Sequence, residues 1–139
     1  MADLPVFLRI ENRPCLVVGG GNKAAATIEK LMQTNAHITV VSPTLNATLQ
    51  QKVERGLLRH QSDCFNPQCL DGHALVVAAT DNPLSNRWVA EHAIRRNVPV
   101  SVISNPPLGN VVLADIAPVC TPPSNRTEVG FESQNRDSV

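Results

Sequence analysis

Six consecutive residues, Gly19-Gly20-Gly21-Asn22-Lys23-Ala24, fit the pattern G-x-G-x-x-A and follow the apolar run Pro14-Cys15-Leu16-Val17-Val18. In such a pattern Gly19 permits a tight turn, Gly21 lets a phosphate approach the backbone, and Ala24 lets a helix sit close on a sheet. A strand before the glycines and a helix after them would aim unpaired N–H groups at an anion, as a dinucleotide pyrophosphate requires. The plainer alternative is a glycine turn that only joins strand to helix. Ser42 ends a second apolar run, His37-Ile38-Thr39-Val40-Val41, at the place where dinucleotide-binding folds carry an acidic residue for a ribose hydroxyl. It is placed either to meet the ribose or to cap the following helix. No arginine adjoins Ser42 to receive a 2′-phosphate, which favours NAD over NADP as the cofactor. Thr80 and Asp81 follow a strong apolar run and should come beside the glycines, flanking the nicotinamide half, with Asp81 alternatively capping the next helix.

A second group of chemistry-bearing residues, His60, Cys64, Cys69 and His73, reads H-x3-C-x4-C-x3-H. The residue types suit zinc or ferrous iron, but the spacing matches no standard metal knuckle and crosses two strands and a turn, so no metal site is expected. His92 on a helix reads as a packed or surface histidine.

The elements that must position these residues alternate. Residues 14–18 read as a strand buried on both faces, and Ala24, Ala25, Ile28, Leu31 and Met32 recur at helical spacing. The β-branched run at 37–41 is a second strand; Ser42-Pro43 then looks like a cap with proline at the first helical position, opening a helix along Leu45, Leu49 and Val53 that stops at Gly56. Residues 57–61 form a weak third strand, and Asn66-Pro67 opens a short turn or helix. Residues 74–79 form a strong fourth strand, followed by caps at Thr80, Asp81 or Asn82 and a helix carrying Leu84, Trp88, Val89, His92 and Ala93, with Arg95 and Arg96 at its C-terminal end. Residues 98–103 make a fifth strand. The predicted fold is α/β, a Rossmann-type doubly wound parallel sheet of about five strands. Val111-Val112-Leu113-Ala114 offers one further strand or turn. Residues 1–118 are read as the NAD-binding domain and the polar residues 119–139 as a disordered tail.

Composition narrows the function. The chain of 139 residues balances 12 Lys+Arg against 12 Asp+Glu, so no summed field favours nucleic acid or an acidic membrane. An aromatic content of 3% gives few stacking platforms for single strands. No secretion signal or membrane-spanning run is visible, and the four cysteines, Cys15, Cys64, Cys69 and Cys120, read as reduced thiols of a cytoplasmic protein.

Taken together, Leu4-Pro5-Val6-Phe7, Cys15 to Gly21, Val40-Val41-Ser42-Pro43, and Ala78-Ala79-Thr80-Asp81 with Asn86 downstream resemble the N-terminal, precorrin-2 dehydrogenase domain of siroheme synthase. The resemblance covers about residues 2–106. It implies NAD-dependent oxidation of precorrin-2 to sirohydrochlorin, in some members followed by ferrochelation, with Gly19 to Ala24, Ser42 and Ala79 to Asp81 holding the cofactor. After the fifth strand the family carries an aspartate, proposed as general base or chelatase residue. Here the segment reads Val102-Ile103-Ser104-Asn105-Pro106, and Ser104 stands at the aspartate's position. A serine hydroxyl has no useful basicity near neutral pH without a neighbouring base, and the nearest downstream carboxylate, Asp115, substitutes only if the loop folds back. The family's dimerisation region, which would make a homodimer, and its helical C-terminal part are not recognisable after Pro118. Two functions are therefore expected in competition: a precorrin-2 dehydrogenase of weak or lost activity, or a non-catalytic NAD-binding module of the same descent.

Overall fold

The computed structural model describes residues 2–114. Asp115, Cys120 and the expected disordered tail lie outside those residues. The elements run β1 (Pro14–Val18), α1 (Asn22–Met32), β2 (His37–Val41), α2 (Ala47–Glu54), β3 (Arg59–Gln61), a 3₁₀ turn (Pro67–Leu70), β4 (Leu75–Ala78), α3 (Pro83–Arg95), β5 (Val100–Val102) and a last 3₁₀ turn (Pro106–Leu108).

All four strand pairings are parallel, in the order β3-β2-β1-β4-β5. The Rossmann-type sheet of five strands is therefore present as expected. Alternate side chains of each strand leave on opposite faces. Cys15, Val17, Val40, Leu75 and Val77 enter a core with Ala24, Ile28 and Leu31 of α1 and Leu49 of α2, whereas Leu16, Val18, Val76 and Ala78 meet Val89, Ala90 and Ala93 of α3. Burial on both faces explains why β1 and β4 read as unbroken apolar runs. Each fully buried valine or leucine there contributes about 1.5–3 kcal/mol relative to exposure.

Several boundaries differ from expectation. The helix expected from Ser42-Pro43 starts at Ala47, capped by Asn46, whose side chain accepts from Leu49 N at 3.0 Å. Gly56 does stop it, at φ +76°. β3 pairs over only three residues, 59–61. On α3 the buried face is Asn86, Val89, Ala90 and Ala93, while Leu84 and Trp88 are exposed. Residues 111–114 form no strand. Instead the chain doubles back beside β5: Asn110 N and Val111 N both donate to Val100 O, at 2.9 and 3.1 Å, and Asn110 Oδ1 accepts from Val100 N at 2.8 Å.

Candidate cofactor site

The three glycines leave the C-terminal end of β1, where the strand order reverses between β1 and β4. They do three different jobs. Gly19, at φ +135°, passes so close to the next loop that a Cβ there would collide with the Ala79 carbonyl oxygen. At Gly20 a Cβ would collide with Thr44 O and stand 2.6 Å from Ser42 Oγ, and Gly20 O accepts from Asn46 N at 2.8 Å. Gly21 is different, because the nearest atom to a Cβ there is Asp81 Oδ2 at 4.0 Å. That position faces open space.

Beyond Gly21, α1 begins without a side-chain cap and with no acidic residue in its first turn, although Asn46 and Asn82 cap α2 and α3. Its first amide groups are thus without side-chain partners, and the helix dipole leaves partial positive charge at that end. Ala24 is fully buried in the core that β1 enters, as close helix–sheet contact requires. Lys23 Nζ lies 3.6 Å from Asp81 Oδ1. This exposed pair is worth at most about 1 kcal/mol.

Ser42 is buried and its hydroxyl donates to Thr44 O at 2.6 Å, so the hydroxyl is not the helix cap. The His60 ring nitrogen Nε2 meets Ser42 O at 2.9 Å, and Ser42 N donates to Gln61 O at 3.1 Å, so β3 holds the loop from outside. Nor does Asp81 cap α3. Asn82 does, accepting from Leu84 N at 2.9 Å and Ser85 N at 3.3 Å, with Pro83 opening the helix. Thr80 is fixed by Asn86, which is almost fully buried.

These loops enclose a cleft of about 550 Å³ between the glycines, Val41 to Asn46, Cys64-Phe65, Ala79 to Asp81, and Ser85. The structure thus brings Gly19, Gly20, Gly21, Ser42, Ala79, Thr80 and Asp81 to one place. Sequence reading passed over Cys64 and Phe65 as cleft residues, since nothing local marks a crossover residue that folds over the sheet. Ser104 stands two residues past β5, exposed, with its Oγ 3.5 Å from Asn86 Nδ2. It does not line that cleft. Its neighbours Ile103 and Pro106 border a smaller cavity of about 280 Å³ against Lys23, Thr27 and Lys30 of α1.

Among the described residues no group of three His, Cys, Asp or Glu side chains is placed to hold a metal. His60 is engaged with Ser42, Cys69 Sγ donates to Gln61 Oε1 at 3.6 Å, Cys64 is exposed, and His73 Nδ1 is buried without a partner.

Residues 6–115 match the model of a family described as NAD(P)-binding. The chain belongs to this NAD(P)-binding family. Within it, the chain is similar to the N-terminal part of siroheme synthases. It is 43% identical over 116 residues to that of Methylobacillus flagellatus and 40% identical over 117 residues to that of Nitrosomonas eutropha, each alignment covering 84% of this chain and 25% of the relative. The chain thus spans about a quarter of the length of these relatives. A solved structure of a precorrin-2 dehydrogenase, SirC, superposes with a TM-score of 0.66 at 29% identity, covering 82% of this chain and 53% of that one. The matched residues include the glycine loop, where an open Gly21 and an uncapped helix start face a cleft at the switch point. No described helix is long and apolar enough to cross a membrane.

Proposed function

We propose that this chain binds NAD in the cleft behind Gly21 and oxidises precorrin-2 slowly, as a member of the siroheme-forming enzymes that has lost its proton acceptor. The observation that carries the cofactor reading is the pairing of an unobstructed Gly21 with the uncapped start of α1. The amides of Asn22, Lys23 and Ala24 would receive the pyrophosphate. Ser42 Oγ already spends its proton on Thr44 O, so toward a ribose hydroxyl it can only accept. Among the described residues Asp81 is the one charged side chain lining the cleft, Lys23 is paired with it, and no arginine adjoins Ser42 in sequence for a 2′-phosphate, which favours NAD over NADP.

When bound, NAD supplies the hydride acceptor. The protein must orient the tetrapyrrole and take up the accompanying proton. Ser104 stands where the resemblance puts an aspartate, and its described neighbour is the Asn86 amide, a donor and not a base. That geometry also favours a second reading, a module that binds NAD without turnover. The two are separated by incubating the full chain with precorrin-2 and NAD⁺ while following NADH and sirohydrochlorin absorbance, with NAD⁺ binding measured by calorimetry. Slow turnover with clear binding supports the enzyme, binding without turnover supports the module, and no binding heat overturns both.

A further inference from the structure

Phe65 lies four residues past the end of β3, in the crossover to β4, and among the described residues is the one aromatic side chain that lines the cleft. It is half-buried and packs against the core on the α3 side of the sheet. Trp88 supports it from α3, with ring centroids 5.2 Å apart and planes at 88°, and His92 continues the stack from Trp88 at 5.5 Å and 82°. Edge-to-face packing of this kind is a favoured aromatic geometry and braces the Phe65 ring at the cleft wall.

The position of this wall along a dinucleotide follows from topology. With the pyrophosphate at the start of α1, one half extends past β2 and the other past β4 and β5. Ser42 and Pro43, at the end of β2, share the cleft with Phe65, whereas Ser104 and the smaller cavity lie toward β5. Val18 and Val41 line the same cleft, and among the described residues no lysine or arginine lines it, Lys23 being paired with Asp81 at the glycine loop. Such surroundings suit a flat, neutral, aromatic group and not a third phosphate.

We infer that Phe65 is the stacking wall for the adenine ring of the cofactor, braced by Trp88. This rests on the reading that the cleft takes a dinucleotide. A base stacked on an aromatic side chain is worth about 1–3 kcal/mol, so removing the ring should weaken adenine nucleotides about tenfold or more. Trp88 is the only tryptophan in the chain, so its emission reports on this wall without a label.

The experiment titrates the full chain with ADP-ribose, AMP, NAD⁺ and nicotinamide mononucleotide, following Trp88 emission and binding heat. ADP-ribose, AMP and NAD⁺ should shift the emission and nicotinamide mononucleotide should not. Phe65→Ala, and Phe65→Leu as the variant that keeps apolar volume for folding, should weaken ADP-ribose and AMP about tenfold, with Phe65→Tyr restoring affinity. Unchanged Trp88 emission at saturating ADP-ribose, or ADP-ribose affinity indifferent to Phe65→Leu while Gly21→Val still abolishes NAD⁺ binding, sinks the adenine wall and leaves the cofactor site standing. Absence of binding by any adenine nucleotide sinks both.

Discussion

Asn86 grips Thr80 through three hydrogen bonds: its Oδ1 accepts from Thr80 N at 3.1 Å and from Thr80 Oγ1 at 2.6 Å, and its Nδ2 donates to Thr80 O at 3.1 Å. The side chain is almost fully buried on the first turns of α3 and also reaches Ser104 Oγ at 3.5 Å. One amide thus ties the loop after β4 to the loop after β5. Replacing it with leucine leaves part-buried backbone groups of Thr80 without their side-chain partner, each costing up to about 1–3 kcal/mol when unpaired. Asn86→Leu should lower stability by about 2–4 kcal/mol, read as a drop in the urea midpoint at constant slope. A loss below about 0.5 kcal/mol would show that water replaces the amide.

The glycine loop should separate folding from binding. Valine at Gly19 or Gly20 meets a carbonyl oxygen of Ala79 or Thr44 and should cost several kcal/mol or prevent soluble expression. A Cβ at Gly21 meets no described atom closer than Asp81 Oδ2 at 4.0 Å, so Gly21→Val should melt near the wild type while losing its NAD⁺ binding heat. Equal NAD⁺ affinity in wild type and Gly21→Val would refute the site.

Much of this was legible in the residues themselves, and the misses share a physical cause. β1, β2 and β4 were readable because strands covered on both faces leave continuous apolar runs, and α1 because its buried side chains repeat at helical spacing. The start of α2 was not. Ser42-Pro43 satisfies the local rule for a cap, but the hydroxyl bonds Thr44 O, and the helix starts where Asn46 N reaches Gly20 O and Asn46 Nδ2 reaches Asn22 Oδ1 at 3.1 Å. Those contacts are distant in sequence. For the apolar residues 111–114 local pattern left a strand or a turn open, and the choice falls to Asn110 and Val111 bonding back to Val100. The glycine loop and the Thr80 loop could be placed together by the switch-point rule, whereas Phe65 enters the cleft through a crossover whose path no local pattern encodes.

Ser104→Asp tests the proton acceptor. An aspartate there would stand near Asn86 Nδ2, a donor able to orient the carboxylate. A positioned general base contributes typically about 10²–10⁴-fold, so precorrin-2 oxidation should rise by that order while NAD⁺ affinity stays nearly unchanged. No gain in rate would refute Ser104 as the limiting defect.

Cys15, wholly buried in β1, has its thiol pushed up to about 11 by burial, with Arg13 pulling slightly the other way. Because the folded pKa lies above the unfolded one, the contribution to stability is complete below pH about 9 and lost as pH rises toward about 11. The melting temperature should fall across that window, and Cys15→Ala should flatten the fall. At neutral pH, alkylation mapped by mass spectrometry should mark the exposed Cys64 and spare Cys15 until the chain unfolds. Early labelling of Cys15 would contradict the buried thiol.

The doubling back of Asn110 and Val111 onto Val100 has a consequence for how copies of this chain meet. An open parallel sheet ends in two rows of unpaired backbone groups, each a template for another strand. At β5 both the N–H and the carbonyl of Val100 are already engaged by that turn, and at the opposite side β3 is three residues long and exposes Arg59 and Gln61. Among the described residues neither margin offers a long apolar ladder, an arrangement that disfavours edge-to-edge pairing, and loosening the Asn110 turn should show first as lost solubility.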